Sequence, residues 1–308
     1  MRRAFFIVGP TATGKSELAA KVAREMGGEI VSADAFQIYR GFDLLTGKPE
    51  ASTLAKAPHH LIGAVPLSED MNAEKFRRAA ARVMEEINLR GNVAIVVGGS
   101  GLYIKALTHG LAPLPEPDPR LRDKLNSMSL DDLRSELARI DPDAAHEIDV
   151  KNRRRLVRAL EISLLTGKTI SRAVAEVGDS GWPGSLIAAR GVFVLRDREE
   201  LYERINQRVE SMFECGVIEE VRAAGVTSAT ASQMIGLREI RELLAGQKSL
   251  AQCIADIQQA TRRYAKRQLT WFRRQTKLSS LNLSFLSDNE AVKWISLRML
   301  SEAGIRDD

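Results

Sequence analysis

The apolar positions of the chain fall into two kinds of run. Ala4-Phe5-Phe6-Ile7-Val8 and Val93-Ala94-Ile95-Val96-Val97 are apolar throughout, the pattern of strands buried on both faces. Between them the pattern predicts a helix over Glu17–Met26 and a short strand, Glu29-Ile30-Val31, ending in Ser32-Ala33-Asp34. His60-Leu61-Ile62 with Val65 reads as another extended piece. Asn72 is placed to N-cap a helix with Phe76, Ala79, Ala80, Val83 and Ile87 on one stripe, closed by Gly91. Strands alternating with helices predict an α/β fold, a P-loop NTPase-like parallel sheet flanked by helices. In such a sheet ligands sit beyond the carboxyl ends of the strands, where Gly9–Ser16, Asp34 and Gly98–Tyr103 would meet.

The pattern changes at Ala112-Pro113-Leu114-Pro115-Glu116-Pro117-Asp118-Pro119, which reads as a stiff spacer. Helical periodicity follows over Arg120–Leu125, Leu130–Ile140 and Arg153–Leu165, without a convincing strand. A second break falls at Gly178–Gly184, around Trp182-Pro183, and Leu186–Leu195 reads as a strand returning to the sheet. The predicted organisation is a core of residues 1–112 and 184–308, interrupted by an all-helical insertion at 113–183. Helices then dominate: Glu199–Cys215, Ile218–Ala224, Gly236–Leu244 and Ser249–Lys277.

Composition narrows the class. The chain of 308 residues is 44% hydrophobic and 28% charged, as in ordinary globular proteins. The two cysteines, Cys215 and Cys253, have neither metal-ligand spacing nor the numbers of a disulfide framework, so a reducing cytoplasm is expected. The N-terminus runs straight into the glycine-rich loop, leaving no length for a signal peptide, and no stretch is long and apolar enough for a membrane span. The net charge of +5 is unevenly spread. Lys151–Arg158 holds five cationic residues in eight, and Arg262–Lys277 holds seven with no acidic residue. Two such runs point to a polyanionic partner, nucleic acid.

Gly9-Pro10-Thr11-Ala12-Thr13-Gly14-Lys15-Ser16 fits G-x-x-x-x-G-K-[ST] between a strand and a helix. Backbone N–H groups of such a loop curl around phosphate oxygens, and the helix N-terminus adds partial positive charge. Lys15 supplies a point charge, and the Ser16 hydroxyl is placed to ligate Mg²⁺. The strand Val93–Val97 ends in glycine instead of the carboxylate of a Walker B motif, which leaves Asp34 as the main carboxylate of the crevice.

These motifs, with Ala33-Asp34-Ala35-Phe36-Gln37-Ile38-Tyr39-Arg40, Thr46-Gly47-Lys48-Pro49, His59-His60-Leu61-Ile62, Gly98-Gly99-Ser100-Gly101-Leu102-Tyr103, Arg155–Glu161, Met234-Ile235-Gly236 and Thr261–Arg273, make the chain resemble the tRNA dimethylallyltransferase family over nearly its whole length. The resemblance implies transfer of a dimethylallyl group from its diphosphate to the exocyclic amine of an adenosine. That adenosine lies on the 3′ side of the anticodon in tRNAs reading codons that start with U. Ala35 stands where the family usually has serine, Ser100 where it usually has threonine, Asn152 where it often has aspartate, and Leu237 where an aromatic is usual.

The residues fit that chemistry. Alkylating an amine needs a cradle for the leaving diphosphate, a base for the proton and a way to take the target base out of its stack. Lys15 and the loop would hold the diphosphate, with Mg²⁺ at Ser16. Asp34 is expected to accept the amine proton, its alternatives being an N-cap or a metal ligand. Ser100 is expected to bond the diphosphate's bridging oxygen or the nucleotide, and Gln37 to read a flipped purine. Tyr39 and Arg40 either stack, touch phosphate or pack. The expected tRNA contacts are Asp34, Ala35, Phe36, Gln37 and Ser100, with Arg122, Arg154, Arg155, Arg158, Arg262, Arg263, Lys266 and Arg267. Arg155 and Arg158 would clamp an anticodon stem-loop, with Glu161 supporting such arginines; Trp271 and Phe272 would anchor the core. His59 and His60 read as structural. The protein is expected to act as a monomer. Rival readings are a P-loop small-molecule or nucleotide kinase, which leaves both basic runs idle, an adenylate prenyltransferase, and an RNA-binding protein whose loop only switches conformation.

Overall fold

The computed structural model describes residues 4–112, 114–170, 172 and 190–303. Its described strands form one parallel sheet: β1 (Ala4–Val8), β2 (Glu29–Ser32), β3 (His59–His60), β4 (Ala94–Gly98), β5 (Gly191–Leu195) and β6 (Ser279–Asn282), in the order β3-β2-β4-β1-β5-β6. The predicted α/β fold is therefore the observed one. Every residue of β1, β2 and β4 is buried, as continuous apolar runs require when helices cover both faces. The strand period of two divides the core. Phe6, Val8, Val31 and Val96 pack on one face with Phe76, Met84 and Phe272. Phe5, Ile7, Ile30 and Ile95 pack on the other with Leu18, Val22 and Ile295.

Register sets the functional edge. Val8 pairs with Gly98 and Ser32 with Val97, so β1, β2 and β4 end within a residue of one another, while β5, paired at Phe193, runs two residues further. The segments that leave them, 9–14, 33–37 and 99–100, emerge side by side at one end of the sheet.

Element boundaries differ from expectation by a residue or two where the causes are local. The first helix opens at Lys15, directly after Gly14, whose φ of 88° turns the chain into it. The helix predicted from Asn72 runs Ala73–Leu89 with the Asn72 side chain accepting from Lys75 N–H at 2.9 Å. Its buried stripe is Phe76, Ala80, Met84 and Ile87; Ala79 and Val83 are only partly covered. The extended piece near His60 is the two-residue β3, and Val65 makes an isolated bridge to Tyr39. The periodicity did not reveal β6 or the helix Asp288–Ala303 that packs Ala291, Val292, Ile295 and Met299 onto the sheet. The break at Gly178–Gly184 and the residues 186–189 of the returning strand lie outside the described residues.

The chain divides into two compact units, Met1–Thr108 with Leu186–Asp308, and His109–Ser185. The second is helical where described: Pro119–Ser127, Leu130–Ile140, Pro142–Glu147 and Arg153–Thr166. It has its own core of Leu125, Leu133, Leu137, Leu156 and Leu160. No helix among the described residues is long and apolar enough to cross a membrane.

Candidate active site

At the carboxyl end of the sheet lies a cleft of about 810 Å³ reached by Lys15, Ser16, Ser32, Asp34 and Gly98. The glycine-rich loop that forms one wall is held from outside. The Thr13 hydroxyl donates to Pro10 C=O at 3.0 Å, and Lys15 Nζ donates to the same carbonyl at 3.1 Å. Three arginines near or on the helix Arg198–Glu214 grip the rest. Arg196 Nε donates to Thr13 C=O and Arg204 Nε to Ala12 C=O, each at 2.9 Å. Ala12 needs this support, because its φ of 64° is costly for a residue with a Cβ.

The third arginine, Arg208, points into the cleft. Its guanidinium donates to Thr11 Oγ1 at 3.0 Å and to Thr46 C=O at 3.1 Å. Desolvation pulls its pKa below the ordinary arginine range, and Asp34 partly counters that pull. Lys15 feels the same surroundings. Burial lowers its pKa to about 8, against the attraction of Asp34, and the neighbouring Arg208 lowers it further. Two cations facing one cleft, with Asp34 the carboxylate that acts on both, make a seat for a multivalent anion. Sequence reasoning missed Arg208. Its signal was the i, i+4 pair Arg204 and Arg208 on an otherwise mixed helix, which is common on solvated faces too.

Asp34 leaves the end of β2 in an Asx turn. Its Oδ1 accepts from Phe36 N–H at 2.9 Å and Gln37 N–H at 3.2 Å, which fixes the carboxylate while Oδ2 takes no hydrogen bond among the described residues. Ser100 Oγ accepts from Ala35 N–H at 2.9 Å, so the serine ties its turn to the Asp34 loop. Gln37 lines the cleft, and its Nε2 donates to Gly47 C=O at 2.9 Å, which binds the 33–37 loop to the segment after Thr46. Tyr39 is fully buried, with its hydroxyl accepting from Met71 N–H at 3.1 Å, so of its alternatives it takes packing. Arg40 is exposed.

A second, more apolar pocket opens beside the first. Both share Thr11, Ala12, Asp34, Thr46, Arg208 and Met212. Beyond them the second is walled by aliphatic residues such as Leu45, Ile205, Val209, Met234 and Ile257, and by Tyr264.

The long helix Leu250–Gln275 separates its jobs by face. Ile257, Ala265, Gln268 and Phe272 are buried, Phe272 stacking on Phe193 with ring centres 5.5 Å apart. Trp271 is partly buried and lies against Gly101, where a Cβ would come within 2.5 Å of the indole. Both therefore anchor the core, as expected. Arg263, Lys266 and Arg267 are exposed, while Arg262 donates to Asn206 Oδ1. Arg267 lies over the Tyr264 ring, 5.7 Å from its centre.

Within the helical unit, Arg154 and Arg155 are exposed and make no ion pair among the described residues. Arg122 and Arg158 each donate to Oε2 of the fully buried Glu161 at 2.6 Å. Glu161 thus supports arginines, as expected from the sequence. Away from the cleft, His60 Nε2 lies 2.7 Å from buried Glu29, which Arg90 and Asn92 also bind; the pair is structural.

With this geometry in view, the model of the family described as IPP transferase matches residues 37–275. The chain belongs to the IPP transferase family. It is 43% identical over 274 residues to tRNA dimethylallyltransferase 1 of Citrifermentans bemidjiense, covering 88% of this chain and 89% of that one. It is 42% identical over 303 residues to the tRNA dimethylallyltransferase of Geobacter sulfurreducens, covering 94% and 90%. Among solved structures it is similar to the tRNA isopentenylpyrophosphate transferase of Bacillus halodurans, with a TM-score of 0.71 at 33% identity, each chain 99% covered. A eukaryotic dimethylallyltransferase acting on tRNA gives a TM-score of 0.79 at 26% identity, over 97% of this chain and 80% of that one. In this chain the glycine-rich loop stands beside Gly98, with Gly9 N–H donating to Gly98 C=O at 3.2 Å, where a Walker B motif would have its carboxylate.

Proposed function

We propose that the protein transfers a dimethylallyl group from dimethylallyl diphosphate to the N6 amine of the adenosine 3′-adjacent to the anticodon, in tRNAs reading codons that start with U. The observation that carries this reading is the junction of two pockets at Asp34 and Arg208: a cationic seat for a diphosphate continues into an aliphatic wall suited to a five-carbon chain. A phosphoryl-transferring kinase would have no use for that wall, and a carboxylate is missing where a Walker B residue would stand.

In the reaction the allylic C–O bond breaks and the electron pair leaves with the diphosphate. The N6 lone pair forms the new N–C bond, and the displaced N6 proton passes to Asp34. Lys15, Arg208 and the N-terminus of the helix Lys15–Met26 stabilise charge on the departing diphosphate. Asp34, with Oδ1 held by two N–H groups, keeps Oδ2 for the proton.

The oxygen donors of the cleft suit Mg²⁺. The Ser16 hydroxyl and the Asp34 carboxylate both line it, and no cluster of three or more His, Cys, Asp or Glu among the described residues offers a closed cage. Mg²⁺ is characteristically held by one or two such groups plus substrate phosphates. When bound there through Ser16, it would supply charge neutralisation for the leaving group.

The tRNA is met by cations: exposed Arg154 and Arg155, the half-buried Arg122–Arg158 pair braced by Glu161, and exposed Arg263, Lys266 and Arg267 on the long helix. The test incubates the protein with Mg²⁺, dimethylallyl diphosphate and unmodified tRNA and weighs the nucleosides. Prenylated adenosine is expected at one anticodon-loop position. Unchanged adenosine alongside ATP turnover would overturn the reading in favour of a kinase, and alkylation of free adenylate in preference to tRNA would replace the acceptor.

A further inference from the structure

Gln268 is a polar residue only 5% exposed, on the buried face of the helix Leu250–Gln275. Its side-chain amide joins two of the segments that form the cleft. Oε1 accepts from Thr11 N–H at 2.9 Å, and Nε2 donates to Gly99 C=O at 2.9 Å. The fit leaves no slack: a Cβ at Gly99 would lie 2.3 Å from Nε2 and 2.9 Å from Gly9 C=O. Thr11 N–H belongs to the glycine-rich loop, whose N–H groups ordinarily face phosphate. Here it is committed to the glutamine, so this contact holds the loop and does not bind the anion.

The connection continues to the base. Gly99 precedes Ser100, Ser100 Oγ accepts from Ala35 N–H, and Ala35 follows Asp34. Tyr264, one helical turn before Gln268, places its hydroxyl close enough to Ser100 and Gln268 for both to act on it electrostatically. A single helix therefore reaches both the donor-holding loop and the turn that fixes the carboxylate.

We infer that Gln268 is a positioning residue that sets the separation between the diphosphate cradle and Asp34, and so between the allylic carbon and the attacking amine. The inference rests on the prenyl-transfer reading. The reaction needs this device because donor and base are held by loops from different strands, β1 and β2, with β4 between them. Neither loop alone fixes the other's place, and a misplacement of about 1 Å costs ~10²-fold in rate.

The experiment compares wild type with Gln268→Met, which keeps the length but removes both hydrogen bonds. A second variant, Gln268→Glu, keeps the acceptor for Thr11 N–H and loses the donor to Gly99. Steady-state kcat and the KM values for dimethylallyl diphosphate and tRNA are measured below the thermal midpoint of each variant. Expected is a kcat lower by ~10²-fold in Gln268→Met, with a smaller loss in Gln268→Glu, because a near-attack geometry is lost while the binding groups remain. Both KM values should stay within about threefold. Tyr264→Phe, which keeps the ring, should lower kcat in the same sense and serves if a glutamine variant does not fold. If the folded variants show wild-type kcat with only a lower thermal midpoint, or lose KM instead of kcat, Gln268 is structural and the inference is overturned. A wild-type enzyme that does not prenylate tRNA would instead overturn the reading beneath it.

Discussion

Gly47→Ala separates a backbone cost from a functional one. Gly47 closes the short helix Asp43–Thr46 with φ 57° and ψ 55°, the left-handed region. A Cβ there would stand 1.7 Å from Arg208 Nη2 and 2.3 Å from its Cζ. The guanidinium is the far end of a flexible chain, so it yields before the backbone does. Gly27→Ala is the matched control, because Gly27 also closes a helix at φ 60° but a Cβ there meets nothing within 4 Å. Each substitution carries a left-handed penalty of ~1–2 kcal/mol. Only Gly47→Ala also moves Arg208 off Thr11 and Thr46, and with it one charge-assisted contact to the donor, ~1.5–3 kcal/mol. At 1.4 kcal/mol per factor of ten, that is a rise of ~10- to 10²-fold in donor KM. Urea unfolding of both variants and steady-state kinetics with dimethylallyl diphosphate as the varied substrate read the two terms apart. Gly47→Ala should lose more stability than Gly27→Ala, by ~1–3 kcal/mol for the two Arg208 hydrogen bonds, and only Gly47→Ala should lose donor affinity. A donor KM equal to wild type in Gly47→Ala would refute the placement of Arg208 in the donor seat.

Other outcomes follow from the same geometry. Asp34→Ala should lower kcat by ~10²–10⁴-fold with tRNA affinity retained, as loss of a general base does, measured by single-turnover kinetics. Lys15 has its pKa lowered to about 8, so the free enzyme loses this charge as pH rises through 8; donor KM should increase above that pH, and an unchanged KM up to pH 9 would contradict the assignment. Glu161→Ala leaves Arg122 and Arg158 facing each other without their carboxylate. It should destabilise the protein by about 2–3 kcal/mol, below the full cost of breaking a buried pair because both arginines are about one-third exposed. It should also weaken tRNA binding. Arg155→Ala should reduce tRNA affinity and make the slope of log affinity against log salt shallower by about one, detectable by filter binding across salt concentrations.

The parts of this protein readable from sequence are those whose physics is local. The P-loop is recognisable because a fixed spacing of glycines, lysine and serine must follow a strand and open a helix. The central strands are recognisable because burial on both faces removes every polar residue from β1 and β4. Asp34 stood out once Gly98 left the Walker B position without a carboxylate. By contrast β6 reads Ser-Ser-Leu-Asn with only Leu281 buried, and an edge strand so polar carries no period-two signal. The helix Asp288–Ala303 buries Ala291, Val292, Ile295 and Met299, but Trp294 and Leu297 lie off that stripe and blur its periodicity in the sequence.

What only tertiary structure decided are the contacts that assemble the cleft. Arg208 and Gln268 reach Thr11 across 197 and 257 residues of chain, and neither stands in a local pattern that marks its target. At Gln37 the tertiary structure adds a contact that no local pattern shows: its Nε2 donates to Gly47 C=O while the residue lines the cleft. Spacing along a strand or helix determines which residues share a face, so motifs and core positions follow from the sequence. Which buried donor meets which distant carbonyl depends on the register of β1, β2 and β4 and on the helices laid over them, and that is settled only when the sheet closes.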